Sequence, residues 1–295
     1  MKTVVAVGGF VSLHPGHMKL LEKTIALAEK YNAQSCVLTF DNALGTHKGT
    51  VSFMSMEERK TIMKKMGISE VIVQSFDEKF KGLSPEEFVS EILIKKLNCI
   101  CVVVGENFRF GKNASGNVET LRALCSQNGI ECEIQPMKKD EEGNVISTTY
   151  LVNIARSGDI EKFSRLLGRP VTVQGMVIHG RHDGRKMGFP TVNVKAGKDD
   201  FVPQKGVYIS STEVDGIRYP SVTNIGNAPT FDSEDELTET HIIGVDKDMY
   251  GENVMITLYK KIRDITKFDS VESLKKQLEC DIITTEKYFE NNKNI

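Results

Sequence analysis

Two histidines stand three residues apart in a glycine-rich segment that follows the first apolar run of the chain. The run covers residues 3–7, and the segment reads GGFVSLHPGH over residues 8–17, with the histidines at His14 and His17. A helix that begins here offers free N–H groups and a partial positive charge to a phosphate, and glycines let the backbone approach it. Both imidazoles can donate to phosphate oxygens. The pattern predicts nucleotidyl transfer, in which a protein mainly positions phosphates and stabilises charge.

The motif is similar to that of the HxGH nucleotidylyltransferase superfamily. We predict that His14 and His17 are catalytic residues of this first site. The predicted phosphate-binding residues are Gly8, Gly9, Phe10 and Gly16. The alternative is that the two histidines only cap the helix.

A second loop, over residues 180–193, combines glycines with cations and then enters a strand-like run. Backbone N–H groups together with Arg and Lys side chains form an anion site. Thr191 and Asn193 lie two residues apart, so they share one face of a strand. Both are oxygen donors suited to Mg²⁺ shared with ATP phosphates, and we predict them as metal ligands. A solvated turn is the alternative. The predicted nucleotide-binding residues are Gly180, Arg181, Gly184, Arg185, Lys186, Gly188, Thr191 and Asn193.

An acidic residue, Glu239, lies further along in an alternating run of residues 238–241. A carboxylate at such a position can accept the proton of a substrate hydroxyl that attacks the γ-phosphate of ATP. We predict Glu239 as a catalytic residue of the second site. The alternative is an ordinary surface carboxylate on an edge strand.

The first half of the chain must position the histidine motif, and it alternates short apolar runs with amphipathic ones. Alternating strands and helices with apolar strands predict a parallel sheet covered on both faces, with ligands at the carboxyl ends of its strands. The predicted strands are residues 3–7, 35–39, 70–74, 100–104 and 131–135. The predicted helices are residues 17–31, 55–66, 84–97 and 117–128.

The second half, from about residue 171 to 259, has short runs rich in Val, Ile, Thr and Tyr, separated by turn signals. Asp215-Gly216 predicts a hairpin, and Gly226-Asn227 predicts a further turn. Such runs indicate a small barrel or sandwich. A final helix is expected over residues 271–289 and a short one over residues 160–167. We therefore predict two domains, residues 1–157 and 158–295.

Composition excludes several classes of protein. The chain has 295 residues, of which 40% are hydrophobic and 26% charged, and its formal net charge is −2. These values are typical of a globular protein, and the absence of a basic excess argues against binding to nucleic acid. No apolar run approaches the roughly 18 residues of a membrane span. The six cysteines lack paired CxxC spacing, so we expect free thiols and a cytoplasmic protein without a membrane partner.

Taken together, the motifs resemble those of the bacterial bifunctional riboflavin kinase/FMN adenylyltransferase, or FAD synthetase, family. The resemblance runs from residue 8 to about residue 281. The segments that carry it are GGFxxxHPGH (8–17), SPEEF (84–88), VGENFRFG (104–111), LLGRP (166–170), GRKMGFPTVN (184–193), GVY (206–208), NIGNAPTF (224–231), ETH (239–241), YG (250–251) and RDxxKFDS (263–270).

The resemblance implies an α/β plus β architecture. It consists of an N-terminal Rossmann-like adenylyltransferase domain and a C-terminal six-stranded β-barrel kinase domain with a C-terminal helix. The kinase would make FMN and ADP from riboflavin and MgATP, and the other domain would make FAD and pyrophosphate from FMN and ATP. Thr191 and Asn193 would hold Mg²⁺ and ATP, and Glu239 would be the base. The residues expected near flavin are Asn107, Phe108, Arg109, Arg263, Lys267 and Phe268.

The first half departs from the family pattern at four positions. Val11 and Ser12 stand where the family has Asp and Gly, and Tyr150 and Val152 stand where it has two arginines. Loss of a cation that stabilises transferring phosphates slows a reaction by about 10²–10³-fold. The departures therefore leave open a kinase with an inactive N-terminal domain. Two further hypotheses are a regulator without catalytic activity and an enzyme that transfers nucleotide to a different phosphate ester.

Overall fold

The computed structural model describes residues 1–41, 54–180, 183–196, 203–227 and 236–292. By its internal contacts the chain divides into two compact units, Met1–Tyr150 and Leu151–Ile295. This division falls earlier in the chain than the predicted boundary after residue 157. None of the helices within the described ranges combines the length and hydropathy that a membrane span requires.

The first unit is built on a five-stranded parallel sheet in the order β3-β2-β1-β4-β5. Its strands are β1 (Thr3–Val7), β2 (Gln34–Phe40), β3 (Glu70–Gln74), β4 (Cys99–Gly105) and β5 (Glu131–Gln135). Parallel strands need crossover connections, and helices provide them here. The helices are α1 (Pro15–Lys30), α2 (Met56–Met66), α3 (Glu78–Lys81), α4 (Pro85–Glu87), α5 (Val118–Gln127) and α6 (Thr148–Ser157), the last of which crosses into the second unit.

Two cores cover the two faces of this sheet. Side chains alternate along β1, so Val4 and Ala6 pack on one face while Val5 and Val7 pack on the other. The first face receives apolar residues of α1 and α2, and the second receives those of the segment 88–97 and of α5. The sheet is therefore buried on both faces, as the apolar runs predict. The loops that could bind a ligand leave from the ends of its strands.

A π-helix, Phe88–Lys96, follows α4 directly. The α4 N-terminus carries the expected signals: Ser84 caps it, Pro85 occupies the first position, and Glu87 closes a capping box. The sequence predicts one α-helix over residues 84–97, whereas most of this segment is a π-helix in the structure. Helical periodicity does not distinguish a π-helix from an α-helix over so few turns.

The second unit is a closed barrel of six strands in the order β10-β7-β6-β11-β8-β9. Its strands are β6 (Val171–Ile178), β7 (Val192–Ala196), β8 (Gly206–Val214), β9 (Ile217–Asn227), β10 (Glu236–Ile242) and β11 (Asn253–Arg263). The helices of this unit are α7 (Ile160–Leu167), α8 (Asp183–Lys186) and α9 (Val271–Asn291). The barrel and its C-terminal helix confirm the predicted architecture.

The two predicted turns of the barrel have different outcomes. Asp215 and Gly216 both have positive φ, 51° and 78°, and join β8 to β9 as a two-residue hairpin. The prediction of a turn at Gly226-Asn227 is wrong, because both residues continue β9 and pair with β10. Cross-strand pairing overrides the local turn preference of these residues. Helix α6 was not predicted from the sequence, since two β-branched threonines at its start lower its helix propensity.

Candidate active sites

His14 caps the helix that follows the glycine-rich turn. Its Nδ1 accepts hydrogen bonds from the backbone N–H groups of Gly16, at 3.1 Å, and His17, at 3.3 Å. Burial lowers the pKa of His14 to about 4, so the ring is neutral near pH 7. With Nδ1 accepting, the proton of the neutral ring is on Nε2. Nδ1 of His14 therefore caps the helix, as the alternative interpretation expects, while Nε2 remains a hydrogen-bond donor.

His17 stacks on this ring, with 3.7 Å between the ring centroids. Burial and the proximity of His14 hold the pKa of His17 well below its usual range. Its Nδ1 is buried and has no hydrogen-bond partner among the described residues. Two neutral imidazoles thus stand side by side at the start of α1, which suits donation to phosphate oxygens without adding charge.

The turn between β1 and α1 is held in a strained conformation. Phe10 and Leu13 have positive φ values of 48° and 43°, and both are fully buried. Each such residue costs about 1–3 kcal/mol, which the surrounding packing must offset. Buried side chains on either side of the turn therefore preset the path of the predicted phosphate loop.

A residue of α2, Arg59, reaches this turn. Its Nη1 donates to the carbonyl oxygen of Gly9 at 3.2 Å, and Thr39 Oγ1 donates to the same oxygen at 3.0 Å. Arg59 is buried, which lowers the pKa of its guanidinium, and its Nε has no partner among the described residues. Sequence reasoning missed Arg59, because nothing in its local pattern distinguishes it from a surface cation of an amphipathic helix.

The start of α6 lies beside the same turn. Ser12, fully buried, approaches Thr148 with 3.1 Å between their hydroxyl oxygens. Tyr150, at one of the two motif positions that lack arginine, donates its hydroxyl to Asp140 Oδ2 at 2.7 Å. Val152, at the other position, is buried. Of the four departures from the family pattern, Ser12 and Tyr150 are therefore hydrogen-bonded and Val152 is packed in the interior.

The loop after β4 leads to a cluster of aromatic rings. Phe108 and Phe110 stack with 5.5 Å between their centroids, and Phe110 also contacts Phe88 at 5.2 Å. Asn107 and Arg109 are exposed on this loop. The loop follows the carboxyl end of β4 and therefore lies at the edge of the sheet from which the turn after β1 also leaves.

In the barrel, Glu239 lies in a row of polar residues that crosses three strands. It pairs with Asn193 on β7 and with Asn224 on β9. Paired residues on antiparallel strands project from one face of the sheet, so the carboxylate is flanked by two amides. Thr238 and Thr240 point to the opposite face and are buried. Sequence reasoning included Asn224 in a motif and gave it no role, since the pairing partner of a strand residue is not visible in sequence.

Two buried oxygens of this row have no hydrogen-bond partner in the part of the chain that the structure describes. Oδ1 of Asn193 and Oδ1 of Asn224 accept no hydrogen bond within the described ranges. A Cβ at position 180 would overlap the side-chain amide of Asn193, so a larger residue there would displace that amide. Unpaired amide oxygens beside a carboxylate are the donor set that a hard cation such as Mg²⁺ prefers. The residues present therefore fit the predicted metal.

An open cleft adjoins this row. Its lining includes Thr191, Asn193, Arg185 and Tyr250. Arg185 bonds to Asp246 across the cleft at 3.1 Å. His241 holds the loop in place, because its Nδ1 lies 2.8 Å from the carbonyl oxygen of Pro190.

The structure describes most, but not all, of the remaining residues predicted for the phosphate loop. Lys186 is the last residue of α8. A Cβ at position 184 would overlap the carbonyl oxygen of Phe189, and Gly188 has a φ of 89° that favours glycine. Arg181 lies outside the described residues.

The segment after β11 contains the other residues expected near flavin. Arg263 donates to the carboxylate of Asp281 on α9 from Nε, at 3.1 and 3.2 Å, and from Nη2, at 2.8 Å. Its guanidinium also lies 5.8 Å from the ring of Phe268, while Lys267 is exposed. Arg263 thus joins β11 to α9, and its flavin contact stays a prediction.

Comparisons with known proteins identify a family for each half of the chain. A family model described as FAD synthetase matches residues 1–150, and one described as riboflavin kinase matches residues 167–289. The bifunctional riboflavin kinase/FMN adenylyltransferase of Bacillus subtilis strain 168 is 33% identical over 98% of this chain and 93% of its own length. The enzyme of the same name from Escherichia coli K12 is 31% identical, over 97% of this chain and 92% of its own.

A solved structure from Streptococcus pneumoniae, described as a macrolide-efflux protein, superposes with a TM-score of 0.87 at 32% identity. The superposition covers 97% of this chain and 94% of the Streptococcus pneumoniae chain. The identity and coverage of the curated relatives, together with the two matched families, place this chain in the bifunctional riboflavin kinase/FMN adenylyltransferase family.

Proposed function

We propose that this protein makes both flavin cofactors: FMN from riboflavin and ATP at the barrel, and FAD from FMN and ATP at the first unit. The observation that carries the proposal is the row Asn193–Glu239–Asn224, which sets a carboxylate between two amide oxygens that have no partner among the described residues. Asn193 of this row also lines the cleft. Membership of the family supports both reactions.

At the barrel, the terminal hydroxyl of the ribityl chain attacks the γ-phosphorus of ATP. The new O–P bond forms as the bond to the bridging oxygen breaks, and ADP leaves. Glu239 accepts the hydroxyl proton, which general-base catalysis requires within hydrogen-bonding reach. Arg185, which lines the cleft, and the backbone around Gly184 and Gly188 would bind the phosphates.

Thr191 and Asn193 would hold Mg²⁺ at this site through their side-chain oxygens. When it is bound with ATP, the ion neutralises charge on the phosphates. The assignment is supported by the buried Oδ1 of Asn193, which accepts no hydrogen bond from any residue that the structure describes.

In the first unit, a phosphate oxygen of FMN attacks the α-phosphorus of ATP, and pyrophosphate leaves. The nucleophile is already ionised at neutral pH, so the protein needs no general base. The neutral rings of His14 and His17 donate hydrogen bonds to phosphate oxygens, and the N-terminus of α1 adds its partial positive charge.

Flavin would bind close to each phosphate site. In the first unit, Asn107, Phe108 and Arg109 follow β4, and the half-buried ring of Phe108, which stacks on the buried ring of Phe110, offers a flat apolar surface. In the barrel, Lys267 and Phe268 are the candidates. A cytoplasmic location fits the free thiols of all six cysteines and the use of ATP.

The test is to identify the products by chromatography when the purified protein is given riboflavin and MgATP, or FMN and MgATP. We expect FMN followed by FAD in the first case and FAD in the second. Glu239→Gln should lower FMN formation by at least about 10²-fold, since general-base catalysis contributes that much. FMN without FAD in either tube would contradict the second activity. FMN formation that survives E239Q would contradict the role of the carboxylate.

A further inference from the structure

We propose that Arg59 binds the triphosphate of ATP in the first unit and replaces the two arginines that the family motif places at the start of α6. The inference rests on the proposed synthesis of FAD. Transfer at the α-phosphorus develops negative charge on the phosphates, which cations and N–H donors must stabilise. At the two motif positions Tyr150 bonds to Asp140 and Val152 is buried, so neither brings a cation.

The burial of Arg59 is the first argument. Only 7% of the residue is exposed, and within the part of the chain that the structure describes it forms no ion pair. A buried charge without a partner is unfavourable by several kcal/mol. An anion bound beside it would remove that penalty. The arrangement is therefore typical of a site that is completed by a negatively charged ligand.

Its unused donors are the second argument. A guanidinium carries five N–H donors. Nη1 bonds to the carbonyl oxygen of Gly9, and Nε has no partner among the described residues. The remaining donors can bind phosphate oxygens in the forked geometry that Arg favours. The bond to Gly9 fixes the side chain in one orientation before the ligand arrives.

The position of that bond is the third argument. Gly9 lies in the turn that leads to the N-terminus of α1, where His14 and His17 supply their donors. Arg59 therefore meets the same loop as the histidines, from the opposite end of the turn. Two other cations of the chain, Lys112 and Arg156, are exposed and remain solvated, so burial does not oblige them to bind an anion.

The test compares Arg59→Met and Arg59→Lys with Lys60→Met, a partly exposed neighbour that bonds to Glu57. We expect R59M to lower kcat/KM for ATP in FAD formation by about 10²-fold, with the KM for FMN within about twofold of wild type. R59K should recover part of the loss because it keeps the charge. K60M should match wild type. In all variants FMN formation at the barrel serves as the internal control and should not change.

FAD formation by R59M at the rate of K60M would overturn the role of Arg59 while leaving the proposed function intact. An equal loss in R59M and R59K, with a rise in the KM for FMN and a lower midpoint of thermal unfolding, would show a purely structural role and also overturn it. If the wild-type protein forms no FAD, the proposed adenylyltransferase fails, and the inference falls with it.

Discussion

At the scale of residues, both candidate sites contain buried polar atoms that have no hydrogen-bond partner among the described residues. Nδ1 of His17 and Nε of Arg59 lie at the first site, and Oδ1 of Asn193 and of Asn224 lie at the second. Buried polar atoms are nearly always hydrogen-bonded in folded proteins, so each unpaired one requires an explanation. Their concentration around the predicted phosphate sites indicates that ligands complete them.

The neutral state of His14 has a consequence for stability. Because burial lowers its pKa from 6.5 to about 4, the unfolded chain binds a proton there at a pH at which the folded protein does not. Stability therefore falls as the pH falls from about 6.5 towards 4, and this residue contributes no further loss below that range.

We expect His14→Asn to reduce this dependence, since Asn keeps an acceptor for the helix cap and does not titrate. The free energy of unfolding should fall by about 2 kcal/mol more in wild type than in H14N between pH 7 and pH 5. Urea unfolding at the two pH values measures the difference. Parallel pH dependences of the two proteins would contradict the lowered pKa of His14.

At the scale of elements, one buried ion pair fastens the C-terminal helix to the barrel. Asp281 of α9 is only 3% exposed and accepts from Nε and Nη2 of Arg263 at the end of β11. Gln277 donates to the same carboxylate at 2.9 Å. The pair therefore sets where α9 lies against the segment that contains Lys267 and Phe268.

We expect Asp281→Asn to destabilise the protein by about 3 kcal/mol, because it leaves a partly buried guanidinium without its counter-charge. The matched control is Asp215→Asn, which removes an exposed carboxylate that pairs with the exposed Lys247. A surface pair of this kind contributes about 0–1 kcal/mol. Chemical denaturation of both variants provides the comparison, and equal losses of stability would show that Asp281 has no special role.

At the scale of the whole molecule, the chain has two candidate phosphate sites of different construction. The first uses a strand-to-helix turn of a parallel sheet, and the second uses neighbouring strands of a closed antiparallel barrel. Each compact unit supplies its own glycines and cations. The two proposed reactions should therefore be separable by substitution.

We expect E239Q to form FAD at the wild-type rate when FMN is supplied, because the substituted carboxylate belongs to the barrel alone. The same protein given riboflavin should accumulate neither FMN nor FAD. Chromatography of the two reactions tests this. A loss of FAD formation from supplied FMN would show that the two sites depend on each other.

The amino-acid sequence by itself determined most of the architecture. Strands β1, β3 and β5 begin and end where the apolar runs do, and the hairpin at Asp215-Gly216 follows from local conformational preference. Such features depend on residues close together in the chain. The histidine motif and the loop that ends in Thr191 and Asn193 were also recognisable in the sequence, because their functional residues lie only a few positions apart.

Only the tertiary structure decided which distant residues meet. The pairing of Glu239 with both Asn193 and Asn224 depends on the register of three strands. The contact of Arg59 with Gly9 joins α2 to a turn 50 positions away in the chain. Gly226-Asn227 continues a strand although its local preference favours a turn. Pairing and burial act between segments that are distant in sequence, so their outcome depends on the packed fold, whereas helix, strand and turn preferences act within a few residues.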